Sequence, residues 1–355
     1  MIRNHQTEAT RRLGIAHPIV QGPFGGGLST VALASTVSNL GGLGSFGAHM
    51  LPPEKIAETV DALRGSTTQP FAVNLWVSDH DPGGDHLLPA ERDRITALFA
   101  PYFAELGIPQ PGLPARFHPS FGAQVEALLE ARPPVFSFVF GIPEPRILEE
   151  CRRRHIVTVG AATSIAEARA LDDAGVDAIV ATGAEAGGHR PSFLARSEDS
   201  LMGTMALVPL VVDRVRVPVI AAGGIADRRG VHAVLALGAG AAQIGTAFLA
   251  CSESGATEGH RSLLFSDASE RTVLTRAFTG RLARGLVNRW TTELGPRTSE
   301  LAPFPAQSWF VSQLRAAAIA AGRTDLLSLW AGQIAPNLQH HTATRLMNAL
   351  LEENP

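Results

Sequence analysis

Short runs of Val, Ile, Ala and Phe alternate along this chain with longer amphipathic stretches, the rhythm of βα units feeding a parallel sheet. Eight such runs predict strands at 19–22, 43–46, 71–75, 135–140, 156–159, 178–181, 219–222 and 241–245. Helix-start residues open the stretches that follow: Ser29-Thr30, Pro52-Pro53-Glu54, Pro143-Glu144, Ser164 and Asp227. Eight strands with crossover helices, ending near residue 254, match the roughly 250 residues of an α/β fold of the (β/α)8 TIM barrel type. A doubly wound sheet would use fewer strands and an early G-x-G-x-x-G turn. Two stretches break the rhythm. Residues 78–119 are rich in Pro, Gly, Asp and His around one helical pattern at 90–106, and predict a lid inserted after the third strand, over the mouth. From 255 to 355 the alternation ends, and patterns at 308–321, 324–331 and 342–352 predict a mainly helical appendage. We expect it to pack on the 1–254 barrel through Trp309, Phe310, Leu314 and Trp330, with a homodimer left open.

Charge and composition narrow the chemistry. Thirty basic against thirty-three acidic residues give a formal net charge of −3, so no basic field suits nucleic acid or an anionic membrane, and a small-molecule partner is the default. Lys55 is the single lysine, which excludes Schiff-base, pyridoxal and P-loop chemistry if it lies on an outer helix. Cys151 and Cys251 lack neighbours at ligand spacing, so neither a disulfide framework nor a metal site is expected. No apolar run reaches the roughly 18 residues of a membrane span, and residues 1–12 are polar, so the chain reads as cytoplasmic. Glycine is in excess, at 35 residues.

The positions of those glycines matter more than their number. Ligands of such barrels bind at the C-terminal ends of the strands, with phosphate commonly held after the seventh and eighth. There the sequence has Gly223-Gly224 before a helix start, and Gln243-Ile244-Gly245-Thr246 about 20 residues later. Either doublet alone would serve equally as a tight turn; the two together suit one phosphate monoester. The sixth strand leads through Thr182 to Gly187-Gly188-His189-Arg190, placing an imidazole of near-neutral pKa at the same mouth as a candidate base, with Glu185 and Arg190 to orient it or fix the loop. Gln21-Gly22-Pro23-Phe24, followed by three glycines, offers a shelf for a flat ring, and Asn74 an amide for its edge. Phosphate grip, shelf, amide and base predict a phosphorylated heterocyclic cofactor such as FMN.

Six motifs in order carry a family resemblance: His17-Pro18-Ile19-Val20-Gln21-Gly22-Pro23, Val37-Ser38-Asn39-Leu40-Gly41-Gly42-Leu43-Gly44, Pro70-Phe71-Ala72-Val73-Asn74-Leu75, Glu185-Ala186-Gly187-Gly188-His189-Arg190, Ala221-Ala222-Gly223-Gly224-Ile225 and Gln243-Ile244-Gly245-Thr246-Ala247-Phe248. Together they resemble the nitronate monooxygenase family, formerly called 2-nitropropane dioxygenases. The likeness runs from 17 to about 290 if Thr279-Gly280-Arg281-Leu282-Ala283-Arg284-Gly285 is included. It implies an FMN barrel in which Asn74, Gly187, Gly224 and 243–246 contact the cofactor and His189 is the base. It further implies oxidation of a nitronate or nitroalkane with O2 to a carbonyl compound and nitrite. The chain departs from the family at Thr182, where many members have glutamine, and at Pro191, where glycine is common. With Tyr102 its single tyrosine, it cannot build a substrate cage of several tyrosines. His80, His86 and His118 of the lid are candidate substrate contacts. Two rival readings are an NAD(P)H-dependent FMN reductase of a quinone or enoyl thioester, and a flavin-binding protein without catalysis.

Overall fold

A computed structural model describes residues 6–78, 81 and 87–352. Strands β1 (Ile19–Gln21), β2 (Gly44–Gly47), β3 (Phe71–Trp76), β4 (Val135–Val139), β5 (Val157–Ala162) and β6 (Ala178–Thr182) lie close to the predicted runs. After the two-residue β7 (Gly188–His189), which the hydrophobic pattern did not announce, come β8 (Val219–Ala222) and β9 (Ala241–Ile244). All pairs in the sheet β1-β9-β8-β6-β5-β4-β3-β2 are parallel, and a bridge between Val20 and Leu43 joins its two ends. The chain is thus a (β/α)8 barrel.

Period-two alternation sorts the strand residues into two cores. Val20, Leu43, Ala72, Val135, Val159, Val180, Ile220 and Ala241, one from each strand or its edge, fill the interior. Ala9 and Leu13 of the helix Glu8–Leu13 plug that interior from below, and Thr7 fastens the plug by donating to the Gly240 carbonyl at 2.6 Å. The alternate residues, among them Ile19, Val73, Phe136 and Ile179, pack outward against the helices. Several of those helices start on side-chain caps foreseen from sequence: Thr30 accepts from Leu33 N–H, Ser164 from Glu167 N–H and Asp227 from Gly230 N–H. Lys55 is exposed on the helix Pro53–Ser66 and pairs with Glu58.

The eighth outer helix does not directly follow β9. Only the four-residue turn Thr246–Leu249 does. The last helix of the chain, Ala343–Leu351, fills the gap instead, burying Ala343, Leu346, Met347 and Leu350 between the helices Val31–Asn39 and Arg228–Ala236.

The remaining C-terminal residues are not all helical. Antiparallel strands β10 (Thr272–Thr275) and β11 (Ala283–Leu286) extend onto β7, with Ala283 opposite His189. The helix expected over 324–331 is a single 3-10 turn, Thr324–Leu326, after which the chain extends beside β11. Leu286 N–H donates to the Leu329 carbonyl at 2.8 Å, and Gly285 leaves room for that approach: a Cβ there would sit 2.6 Å from the carbonyl oxygen.

Nor do the late aromatics pack chiefly on the barrel. Phe310 and Leu314 of the helix Ala306–Ala320 join Trp290 and Phe278 in a second core, whose other half is the inserted helix Pro89–Glu105 with Ile95, Phe99, Tyr102 and Phe103. Phe99 stacks on Phe310 with centroids 4.9 Å apart, and Tyr102 donates to Glu293 at 2.8 Å.

Candidate active site

Interior positions one step above the apolar layer turn polar. Asn74, Ser137, Thr182 and Gln243 follow Ala72, Val135, Val180 and Ala241 by two residues, so their side chains share the inward face near the mouth. Asn74 and Ser137 are register partners across β3 and β4, and the Asn74 amide donates to the Ser137 hydroxyl at 3.0 Å. Ser137 was missed in the sequence, although the inward register of Val135 points straight to it.

Around the rim, the ends of β1, β8 and β9 converge. A Cβ on Gly22 would lie 3.3 Å from the Gly245 Cα, and one on Gly245 would meet nothing nearer than the Phe24 ring at 3.9 Å. Pro23 and Phe24 are half-buried beside them. Gly223 and Gly224 both have positive φ, 109° and 71°, which turns the chain sharply out of β8. Among the hydrogen bonds of the described residues, none is donated by the backbone N–H of Gly224, Gly245 or Thr246. Unspent N–H groups at adjacent strand ends fit the oxygens of a phosphate. The Thr246 hydroxyl, by contrast, is engaged, accepting from Gly332 N–H at 2.9 Å. Gln21 is also spent: wholly buried, its amide accepts from Ser45 N–H at 2.9 Å and donates to the Gly22 carbonyl. Its backbone N–H is spent as well, donating to the Leu43 carbonyl at 2.9 Å.

The loop from β6 crosses the ends of β8 and β9 before β7. Gly187 presses against Ala331-Gly332, where a Cβ would lie 2.5 Å from Gly332 N, and Gly188 takes a φ of 77° over open space. Arg190 and Glu185 fix this loop and leave the imidazole alone. Buried Arg190 donates to the carbonyls of Thr182, Gly183 and Ser200 at 2.6–2.9 Å, and Glu185 accepts from the Thr204 N–H and hydroxyl. His189 is held instead by the C-terminal segment: its Nε2 and the Thr279 hydroxyl are 2.8 Å apart in a hydrogen bond.

Aromatic rings surround His189. Trp76 lies edge-on at 4.8 Å between centroids and Trp330 tilted at 5.0 Å, while His49 stacks flat on Trp76 at 3.7 Å. Above Trp76 and Phe140 sits Arg281, ion-paired with Asp81. Burial, then the charge of Arg281, then His49 hold the His189 pKa well below an ordinary histidine, and burial with Arg281 and His118 takes His49 down to about 3. Both imidazoles are neutral at pH 7. His118 stands at the edge of this cluster, 6.3 Å from Phe304; His80 and His86 lie outside the described residues. Neither His49 nor Arg281 was read as a site residue, though His49 follows the end of β2 and Arg281 lies in a segment noted only for its family likeness. Among the described residues no cluster of His, Cys, Asp or Glu could hold a metal, and no helix is long and apolar enough to cross a membrane.

The sequence profile of the family described as nitronate monooxygenase matches residues 6–353. The chain belongs to the nitronate monooxygenase family. Its members are flavin-dependent oxidoreductases, and so is this enzyme. A probable nitronate monooxygenase of Staphylococcus aureus (strain Newman) is 36% identical over 350 residues, covering 98% of this chain and 97% of its own. Among solved structures, the nitroalkane oxidase from Streptomyces ansochromogenes superposes with a TM-score of 0.85 at 37% identity, covering 97% of this chain and 96% of its own. FabK from Thermotoga maritima superposes with 0.75 at 28% identity, covering 98% and 95%. Nitronate monooxygenase relatives thus match the whole length, including the insertion and the C-terminal segment.

Proposed function

We propose that this member of the family is an FMN-dependent nitronate monooxygenase, which converts alkyl nitronates or nitroalkanes and O2 to carbonyl compounds and nitrite. The observation that carries the reading is the neutral imidazole of His189, bonded to Thr279 and set among rings beside a buried cation. FMN would be held by backbone N–H groups of Gly223, Gly224, Gly245 and Thr246 at the phosphate. Gly22, Pro23, Phe24, Gly187 and Gly188, with the main chain of Gln21, would lie along the ring, and Asn74, Thr182 and Gln243 would face it from the inward side. Bound FMN would supply the one-electron redox chemistry of the oxidation.

The chain's own residues supply the step before that. A neutral imidazole accepts a proton, and the carbon next to a nitro group is acidic enough to give one. Proton transfer turns a neutral pair into an anion and an imidazolium, so the field of Arg281 that opposes charging His189 also favours the nitronate that forms. The surrounding rings exclude water and strengthen both effects.

The likeness to FabK favours one rival, reduction of an enoyl thioester by NAD(P)H through the same flavin. One experiment separates the two. The purified yellow protein is given NADH or NADPH without oxygen in one cuvette, and propyl-2-nitronate with oxygen in another. We expect oxygen uptake and nitrite from the nitronate, with no fast bleaching by nicotinamide; bleaching without oxygen uptake would replace this reading with the reductase.

A further inference from the structure

The mouth sets one guanidinium among aromatic rings. The Arg281 guanidinium carbon lies 3.6 Å from the ring centroid of Phe140, 4.4 Å from that of Phe304 and 5.4 Å from that of Trp76. Phe140 follows β4 with a φ of 69°, a left-handed conformation rare for a bulky residue, and its ring lies beneath the guanidinium. Asp81 takes Nη2 of Arg281 through Oδ1, but Nη1 is buried without a partner. The Nδ1 of His49, whose ring stacks on Trp76, is buried and unpartnered as well. Unsatisfied polar atoms in a water-poor place are costly, and a charged donor most of all, so a structure that keeps them there is completed by a ligand.

We infer that Arg281, braced by Asp81 and by the rings of Phe140 and Phe304, binds the negatively charged nitro oxygens of the nitronate and makes the site selective for that anion over the neutral nitroalkane. The inference rests on the nitronate reading above and names the residue that reads the substrate's charge. Shape and charge both favour it. A guanidinium is a planar fork; Asp81 takes Nη2 and leaves Nη1 to a planar, anionic acceptor. Stacking on Phe140 fixes the plane in which Nη1 lies.

The test uses the flavin-loaded protein and nitrate, a planar anion that cannot be oxidised, with binding read from the perturbed flavin absorbance. Wild-type protein should bind nitrate saturably, Arg281→Met about tenfold more weakly, and Asp81→Asn about threefold more tightly because the cation loses its internal counter-ion. In steady state, Arg281→Met should raise KM for propyl-2-nitronate about tenfold and that for nitropropane less than about twofold. Nitrate affinity that is absent in the wild type, or equal in wild type and Arg281→Met, overturns the inference. If Arg281→Met loses its flavin, Asp81→Asn decides alone: unchanged or weaker nitrate binding overturns it. Should the wild type bind nitrate through Arg281 yet consume no oxygen with any nitronate, the anion site stands and the proposed reaction falls.

Discussion

In the proposed reaction a single hydroxyl decides which nitrogen of His189 takes the proton. Thr279 occupies Nε2 at 2.8 Å, so the other ring nitrogen is left to meet a substrate. Thr279→Val removes that partner while keeping the shape, and should cost roughly five- to tenfold in kcat/KM on a nitroalkane, in line with about 1 kcal/mol for one hydrogen bond. Thr279→Ser should restore most of it, and its pH profile should again overlay the wild type; a serine variant as slow as the valine variant would deny the hydroxyl this role. His189→Asn should lose activity on neutral nitroalkane far more than on preformed nitronate, because only the former needs a base. Parallel rate assays on the two substrates check this, and equal losses would remove the base assignment. His189 was visible in the sequence because its glycine doublet and strand-end position are local signals. Thr279 was not, since its contact spans 90 residues and depends on how a later strand docks.

At the scale of elements, the inserted helix Pro89–Glu105 and the helix Ala306–Ala320 behave as one packing unit although about 200 residues separate them. Phe99 is fully buried at their contact. Phe99→Ala should destabilise the protein by about 3–5 kcal/mol, the cost of a large cavity in a tight core. Because β11, which pairs with β7, joins the same unit through Leu286, amide exchange at β7 should accelerate in the variant while the barrel strands stay protected. Exchange measured by mass spectrometry distinguishes this from uniform loosening. The eight barrel strands were legible because alternation and spacing are written locally. β7 was not, since two residues carry no period, and the false helix over 324–331 had a helical pattern that pairing beside β11 overrode. Gln21 illustrates the same limit at the site: its position at a strand end was right, but only the fold shows its amide spent on Ser45 and Gly22.

For the molecule as a whole, three histidines held neutral by their surroundings weaken stability in acid. His49 is lowered to about 3 and His260, bonded to the Trp330 carbonyl, to about 4, each chiefly by burial, and His189 is lowered as well. Above pH 6.5 these groups are neutral folded or unfolded and contribute no pH dependence. As pH falls from about 6.5 toward 4 the unfolded chain takes up protons that the folded one refuses, so stability drops by roughly 1.4 kcal/mol per pH unit for each of His49 and His260, and His189 adds in the same direction. Melting temperature should therefore fall across that window, and His260→Gln should flatten the slope. A slope unchanged in that variant would mean His260 is charged in the folded protein.

The second core also governs how such enzymes can be recombined. The barrel holds the glycine-lined strand ends, whereas Asp81 from the insertion and Thr279 and Arg281 from the C-terminal segment meet over His189. Insertion and C-terminal segment share their apolar interior, so neither can be exchanged without exposing half of it. A graft meant to change substrate choice must carry both pieces together, together with the closing helix Ala343–Leu351 that the barrel itself requires. Two distant stretches of the gene are in that sense one inheritable part.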